Sequence, residues 1–134
     1  MVGVEKSCRM EVELIQGGSY ADARGSLRFC NDFDMSEVKR FYTISNSAAE
    51  PQRGWIMHKR ETKWLFPLRA KTKVGVEKVG GERISYLLDA AEPCVLHIPP
   101  NHWFCIEQDG TAEVQVFSDC RPGEFKDDDF RRSL

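Results

Sequence analysis

An all-β barrel or sandwich is the fold class this sequence predicts, and three observations predict it. Short β-branched and aromatic runs recur about every ten residues, broken by Gly, Pro and Asp-Gly turn chemistry. Several runs alternate apolar with polar side chains, which is the period of a strand with one buried face. Helical periodicity is nearly missing. Only residues 35–40, long enough for one turn, and the acidic tail 124–132, read as a short terminal helix, depart from the strand pattern.

Candidate strands run over residues 10–16, 26–31, 38–44, 54–59, 63–68, 73–79, 83–89, 94–98, 103–107 and 112–117. Turns fall at Gly17-Gly18, Gly80-Gly81, Pro99-Pro100 and Asp109-Gly110. Gly80-Gly81 and Asp109-Gly110 each lie between two extended runs and predict hairpins. Ile84, Tyr86 and Leu88 form one apolar face, as do Ala112, Val114 and Val116. Pro67 interrupts its run and predicts an edge strand or a bulge, because proline cannot donate to a ladder. The Ser-, Ala- and Asn-rich loop 45–52 reads as exposed. About ten short strands fit a jelly roll, a lipocalin-like barrel or an immunoglobulin-like sandwich. The last is set aside because its Cys…Trp…Cys pattern is missing.

At 134 residues the chain is expected to form a single domain, 1–134, large enough to hold a core without disulfides or metals. Net charge is -2, so no basic field points to nucleic acid or an anionic membrane. The N-terminal stretch carries acids before any apolar run and does not read as a signal peptide. No apolar run approaches the length of a membrane span, and a cytoplasmic location is expected. Cys8, Cys30, Cys94, Cys105 and Cys120 show no CxxC and no close pairing, and read as reduced, mostly buried side chains.

Only three histidines are present: His58, His97 and His102. A barrel metal site needs two histidines one residue apart, so that both point inward. Here Ile56 stands where the partner of His58 would be, and Glu61 alone does not complete a set, so no metal is expected. Period-2 geometry puts Gly54, Ile56 and His58 on one face. A lumen-facing His58 would be a general acid or base, since imidazole titrates near neutrality. Arg53 could grip a phosphate through paired hydrogen bonds. Tyr42 could supply a phenolic proton. His102-Trp103 enters a strand after a turn, where the aromatic ring could stack on a base or sugar.

Taken in order, these residues resemble the TDP-4-keto-6-deoxyhexose 3,4-ketoisomerases, cupins related to the TDP-4-keto-rhamnose 3,5-epimerases. Asp22-Ala23-Arg24-Gly25-Ser26-Leu27 resembles the family's D-x-R-G-S-L. Val38-Lys39-Arg40-Phe41-Tyr42 is similar to its I-K-R-V-Y, and Arg53-Gly54-Trp55-Ile56-Met57-His58-Lys59 to its R-G-F-H-A-H-K. Pro100-Asn101-His102-Trp103 resembles its P-x-x-W turn, and Asp127-Asp128-Asp129-Phe130 part of its acidic ending. The resemblance implies a cupin jelly roll (double-stranded β-helix) with a core of about 22–118 and an acidic extension over 119–134. It also implies a homodimer, a TDP-linked keto sugar in the barrel, and no cofactor.

The implied reaction moves a carbonyl through an enediol, as in surface-polysaccharide biosynthesis. His58 and Tyr42 are its expected catalytic residues, and Arg53, Lys59, His102 and Trp103 its expected substrate contacts. Ile56 departs from the family at the first histidine of H-A-H, the position of the epimerases' base. That departure keeps a second reading open, a nucleotide-sugar-binding cupin without turnover. A lipocalin-like carrier of an apolar ligand is the third.

Overall fold

The computed structural model describes residues 10–133. Cys8 and the signal-peptide reading lie largely outside them. The described residues form twelve strands: β1 (Glu13–Gln16), β2 (Gly18–Asp22), β3 (Gly25–Phe29), β4 (Arg40–Ile44), β5 (Gln52–Met57), β6 (Lys63–Arg69), β7 (Lys71–Lys78), β8 (Arg83–Asp89), β9 (Cys94–Ile98), β10 (His102–Glu107), β11 (Glu113–Ser118) and β12 (Phe130–Arg131). They build two antiparallel five-stranded sheets, ordered β1-β9-β6-β11-β4 and β12-β5-β10-β7-β8, with β2 and β3 as a separate hairpin. This is the jelly-roll arrangement of a cupin.

Alternation explains which side chains meet. Leu65, Leu96, Val114 and Val116 point inward from the first sheet. Val74, Val76, Phe104 and Ile106 meet them from the second, in one buried cluster. Each such side chain stabilises the fold by about 1.5–3 kcal/mol. The outer face of the first sheet is covered as well, by Phe33 packed on Trp64 and Phe117.

Four sequence expectations are corrected. Residues 35–40 make a turn, closed by Val38 N–H donating to the Met35 carbonyl, and not a helical turn. The tail 124–132 is turns followed by β12, because Phe130 and Arg131 pair with Met57 and Ile56 at the free edge of β5. Asp109-Gly110 does not close a hairpin: β10 and β11 lie in different sheets. Turn chemistry specifies a chain reversal and leaves open whether the flanking strands pair. Within the loop 45–52, Asn46 is buried. Pro67 sits in central β6 rather than at an edge, where the ladder slips by one residue between Glu113 and Val114, so its bulge reading holds. Cys94, Cys105 and Cys120 are buried and free, and Cys30 is partly buried.

Candidate active site

A cavity of about 600 Å³ opens between β4, β5, β6 and the C-terminal tail. Among its lining residues are Arg40, Tyr42, Arg53, Ile56, His58, Glu61, Lys63, Phe104, Asp129 and Arg131. Strand alternation delivers most of them. Arg40 and Tyr42 share a face of β4. Gly54 and Ile56 share a face of β5, with His58 just beyond its end. Lys63 and Leu65 share a face of β6. Gly54 has φ +109, and a Cβ there would stand 2.6 Å from the Phe104 carbonyl oxygen, so only glycine fits where β5 passes β10.

His58 is 4% exposed. Its Nδ1 lies 2.8 Å from the Asp128 carbonyl oxygen, which can only accept, so Nδ1 carries the hydrogen. Nε2 therefore keeps the lone pair, and it is buried without a hydrogen-bond partner among the described residues. Two carboxylates flank Nδ1, Asp129 Oδ1 at 3.3 Å and Glu61 Oε1 at 3.8 Å. One donor atom from each of His58, Glu61 and Asp129 lies within 4.8 Å of the others, so Asp129 supplies a third possible metal donor that the sequence reading did not count.

The turn after β5 is held by one side chain. Asp128 accepts the backbone N–H groups of Lys59, Arg60 and Glu61 at 2.7, 3.1 and 3.0 Å. Burial opposes its charge, yet these three donors and the nearby His58 hold its carboxyl below the usual range.

A second network adjoins the first through Glu61. Lys63 Nζ donates to Tyr42 Oη at 2.6 Å and stands 3.5 Å from Glu61 Oε2, which also accepts from Ser118 Oγ at 2.6 Å. The Arg40 guanidinium lies 5.1 Å from the Tyr42 ring centre, and Arg40 Nε is buried without a hydrogen-bond partner among the described residues. Arg53 Nε donates to Asn46 Oδ1 at 3.1 Å, while Asn46 is itself anchored by the Pro51 and Ile106 carbonyls and by Gln108. Four cationic side chains, Arg40, Arg53, Lys63 and Arg131, share the lining with two carboxylates, so the cavity suits an anionic ligand.

Of the residues singled out from sequence, His58, Tyr42 and Arg53 meet at this cavity. Lys59, His102 and Trp103 are not among its lining residues. Lys59 lays its ammonium over the Phe130 ring at 4.9 Å. His102 Nδ1 bonds back to the Pro99 and Pro100 carbonyls and lines a different crevice, beside Val76 and Tyr86. Trp103 stacks with Arg132 at 4.7 Å. Arg40, Lys63, Asp129 and Arg131 were missed. Counting two residues back from Tyr42 would have found Arg40. A lysine opening the otherwise apolar run Lys63–Pro67 was the signal for Lys63.

Fold and cavity together define a cupin whose cavity is lined by a buried histidine among cationic side chains. The family described as FdtA, WxcM-like, C-terminal matches residues 10–133, and the chain belongs to it. No curated protein matches the sequence significantly. Solved structures share the fold. A 3,4-ketoisomerase from Helicobacter canadensis superposes with a TM-score of 0.75 at 20% identity, covering 92% of each chain. The 3,4-ketoisomerase QdtA from Thermoanaerobacterium thermosaccharolyticum gives 0.73 at 24% identity, over 90% of this chain and 87% of that one. There it is a histidine-to-asparagine variant in complex with TDP-4-keto-6-deoxyglucose. The rmlC epimerase of Mycobacterium tuberculosis gives 0.73 at 13%, over 90% and 68%.

Proposed function

We propose that this chain is an isomerase or epimerase of a TDP-linked 4-keto-6-deoxy sugar, acting without a metal or other cofactor. The observation that carries this reading is His58 Nε2: buried, unpartnered, bearing the lone pair, and set in a cationic cavity. Arg53, steadied by Asn46, and Arg40 bind the diphosphate. His58 Nε2 removes the proton from the carbon beside the ketone. The adjacent carbonyl makes that proton acidic enough for an imidazole once the two are aligned. Glu61 and Asp129 stabilise the imidazolium that forms. The enediol then takes a proton at the neighbouring carbon, and the hydroxyl hydrogen of the old alcohol passes to the old carbonyl oxygen. Atoms and charge balance with no redox partner.

The protein works in the cytoplasm on deoxysugars for surface polysaccharide, as a homodimer. The β2–β3 hairpin supports the dimer, since Tyr20 and Leu27 are 61% and 59% exposed on it. Nucleic acid and membrane are not partners in this reading.

The test is NMR of TDP-4-keto-6-deoxyglucose with the protein in deuterated water. A shifted ketone or deuterium at carbon is expected, and neither appearing would refute the activity on that substrate. Ile56 favours a second reading, a cupin that binds the nucleotide sugar and leaves it unchanged. Ile56→His separates the two: an enzyme gains about tenfold or less, whereas a binding protein goes from silence to turnover.

A further inference from the structure

We propose that Lys63 is a positioning residue that aims the Tyr42 hydroxyl into the cavity, making the Lys63–Tyr42 pair the proton donor of a site that Ile56 leaves short of a histidine. This rests on the keto-sugar reading of the cavity and adds the group that completes it.

Hydrogen-bond logic carries the inference. A lysine ammonium has three donors and no acceptor, so in the 2.6 Å contact the Tyr42 oxygen must accept. The phenolic hydrogen is then free to be donated elsewhere, and Tyr42 lines the cavity. Lys63 is itself fixed. Its side chain is 9% exposed, Glu61 stands 3.5 Å from Nζ, and the Phe104 ring centre lies 5.8 Å away. The same Phe104 ring is 6.1 Å from the His58 ring, so lysine and histidine flank one aromatic side chain. Glu61 spans both networks, with one oxygen toward Lys63 and the other toward His58. When Tyr42 gives up its proton, the ammonium already bonded to its oxygen stabilises the phenolate.

His58 and Tyr42 then divide the reaction. His58 takes the proton from C3, so a C–H bond breaks and an enediol forms. Tyr42 delivers a proton to C4, the O3 hydrogen passes to O4, and the cycle closes when His58 releases its proton to solvent and Tyr42 takes one back.

The two halves can be read separately in deuterated water. With TDP-4-keto-6-deoxyglucose, Lys63→Met and Tyr42→Phe are expected to place deuterium at C3 of unconverted substrate at close to the wild-type rate. Product is expected to fall about 100-fold in both. His58→Asn should lose exchange and product together, and Lys63→Arg should recover product to within about tenfold of wild type. Calorimetry with TDP and a thermal melt check that the pocket and fold survive. If Lys63→Met does not fold, Lys63→Gln, which keeps donors for Glu61 but no charge, carries the test beside Tyr42→Phe. Exchange and product falling in parallel in the Lys63 variants, or product unchanged in them, overturns the assignment. A wild type that neither exchanges nor converts the sugar overturns the reading of the cavity, and the role of Lys63 with it.

Discussion

His58 and His97 are both buried, and each sits at or near the end of a strand, yet their surroundings share almost nothing. His58 faces the lumen, with two carboxylates at Nδ1 and a free Nε2. His97 lies on the outer face of β9, stacked on Trp64 with ring centres 5.6 Å apart and planes 19° apart. Burial drives its pKa down to about 4, with His102 adding to the depression and a backbone contact at Glu11 opposing it. It is neutral at physiological pH and works as a flat, space-filling ring. Burial alone therefore does not mark a functional histidine. What sets His58 apart is that it lines the cavity and has charged groups at Nδ1.

The largest expected effect would break the comparison outright. On the proposed activity, His58→Asn should lower turnover by about 10³-fold, within the range of a lost general base, while TDP binding persists. His97→Gln should leave turnover within about twofold. Equal losses in the two variants, measured by NMR of the converting sugar, would show that position relative to the cavity does not decide the role.

A smaller effect concerns how His58 is held. Asp128→Ala leaves three backbone N–H groups without their acceptor and loosens the turn whose carbonyl fixes the His58 tautomer. Because part of the turn can be rehydrated, about 3 kcal/mol of stability is expected to go rather than the full penalty for three orphaned donors. Chemical denaturation reads it. Turnover should fall further than stability explains, since a wrong tautomer removes the base. His97 is held instead by its Trp64 stack and a backbone contact at Glu11, so Asp128→Ala should leave it undisturbed.

How much of this was legible in the sequence depends on what each residue answers to. Strands such as β9 and β11 were readable to within a residue or so, because alternation and turn residues are local signals. The tail was misread as helix because its structure is set by the open edge of β5, about seventy residues away in the chain. His58, Tyr42 and Arg53 line the cavity, and each is a chemically distinctive side chain within a recognisable run. Lys59, His102 and Trp103 were selected on the same grounds, but their positions do not line the cavity. Neighbouring motif residues point to opposite sides of a strand, and a turn can redirect either. The clamp by Asp128 joins residues 67 to 69 positions apart, and no local pattern announces a carboxylate that caps a distant turn.

The smallest effect is a pH dependence that separates the two histidines without any substrate. An unfolded histidine titrates near 6.5, and His97 in the fold titrates near about 4. Between those values the unfolded chain binds more protons, so stability rises with pH and is lost as pH falls from about 6.5 toward 4. Glu13, Asp32, Asp34 and Glu37 line the same shallow crevice, but burial is the leading cause of the depression, and what opposes it is the backbone contact at Glu11. The loss is bounded at about 3 kcal/mol, and screening at the crevice brings it nearer to 2 kcal/mol. Urea unfolding at pH 7 and pH 4.5 measures it. His97→Gln should flatten that acid limb, because burial in the stack keeps its ring from taking a proton, and His58→Asn is the control expected to leave it in place. A limb that vanished with His58→Asn instead would place the acid-sensitive histidine in the lumen.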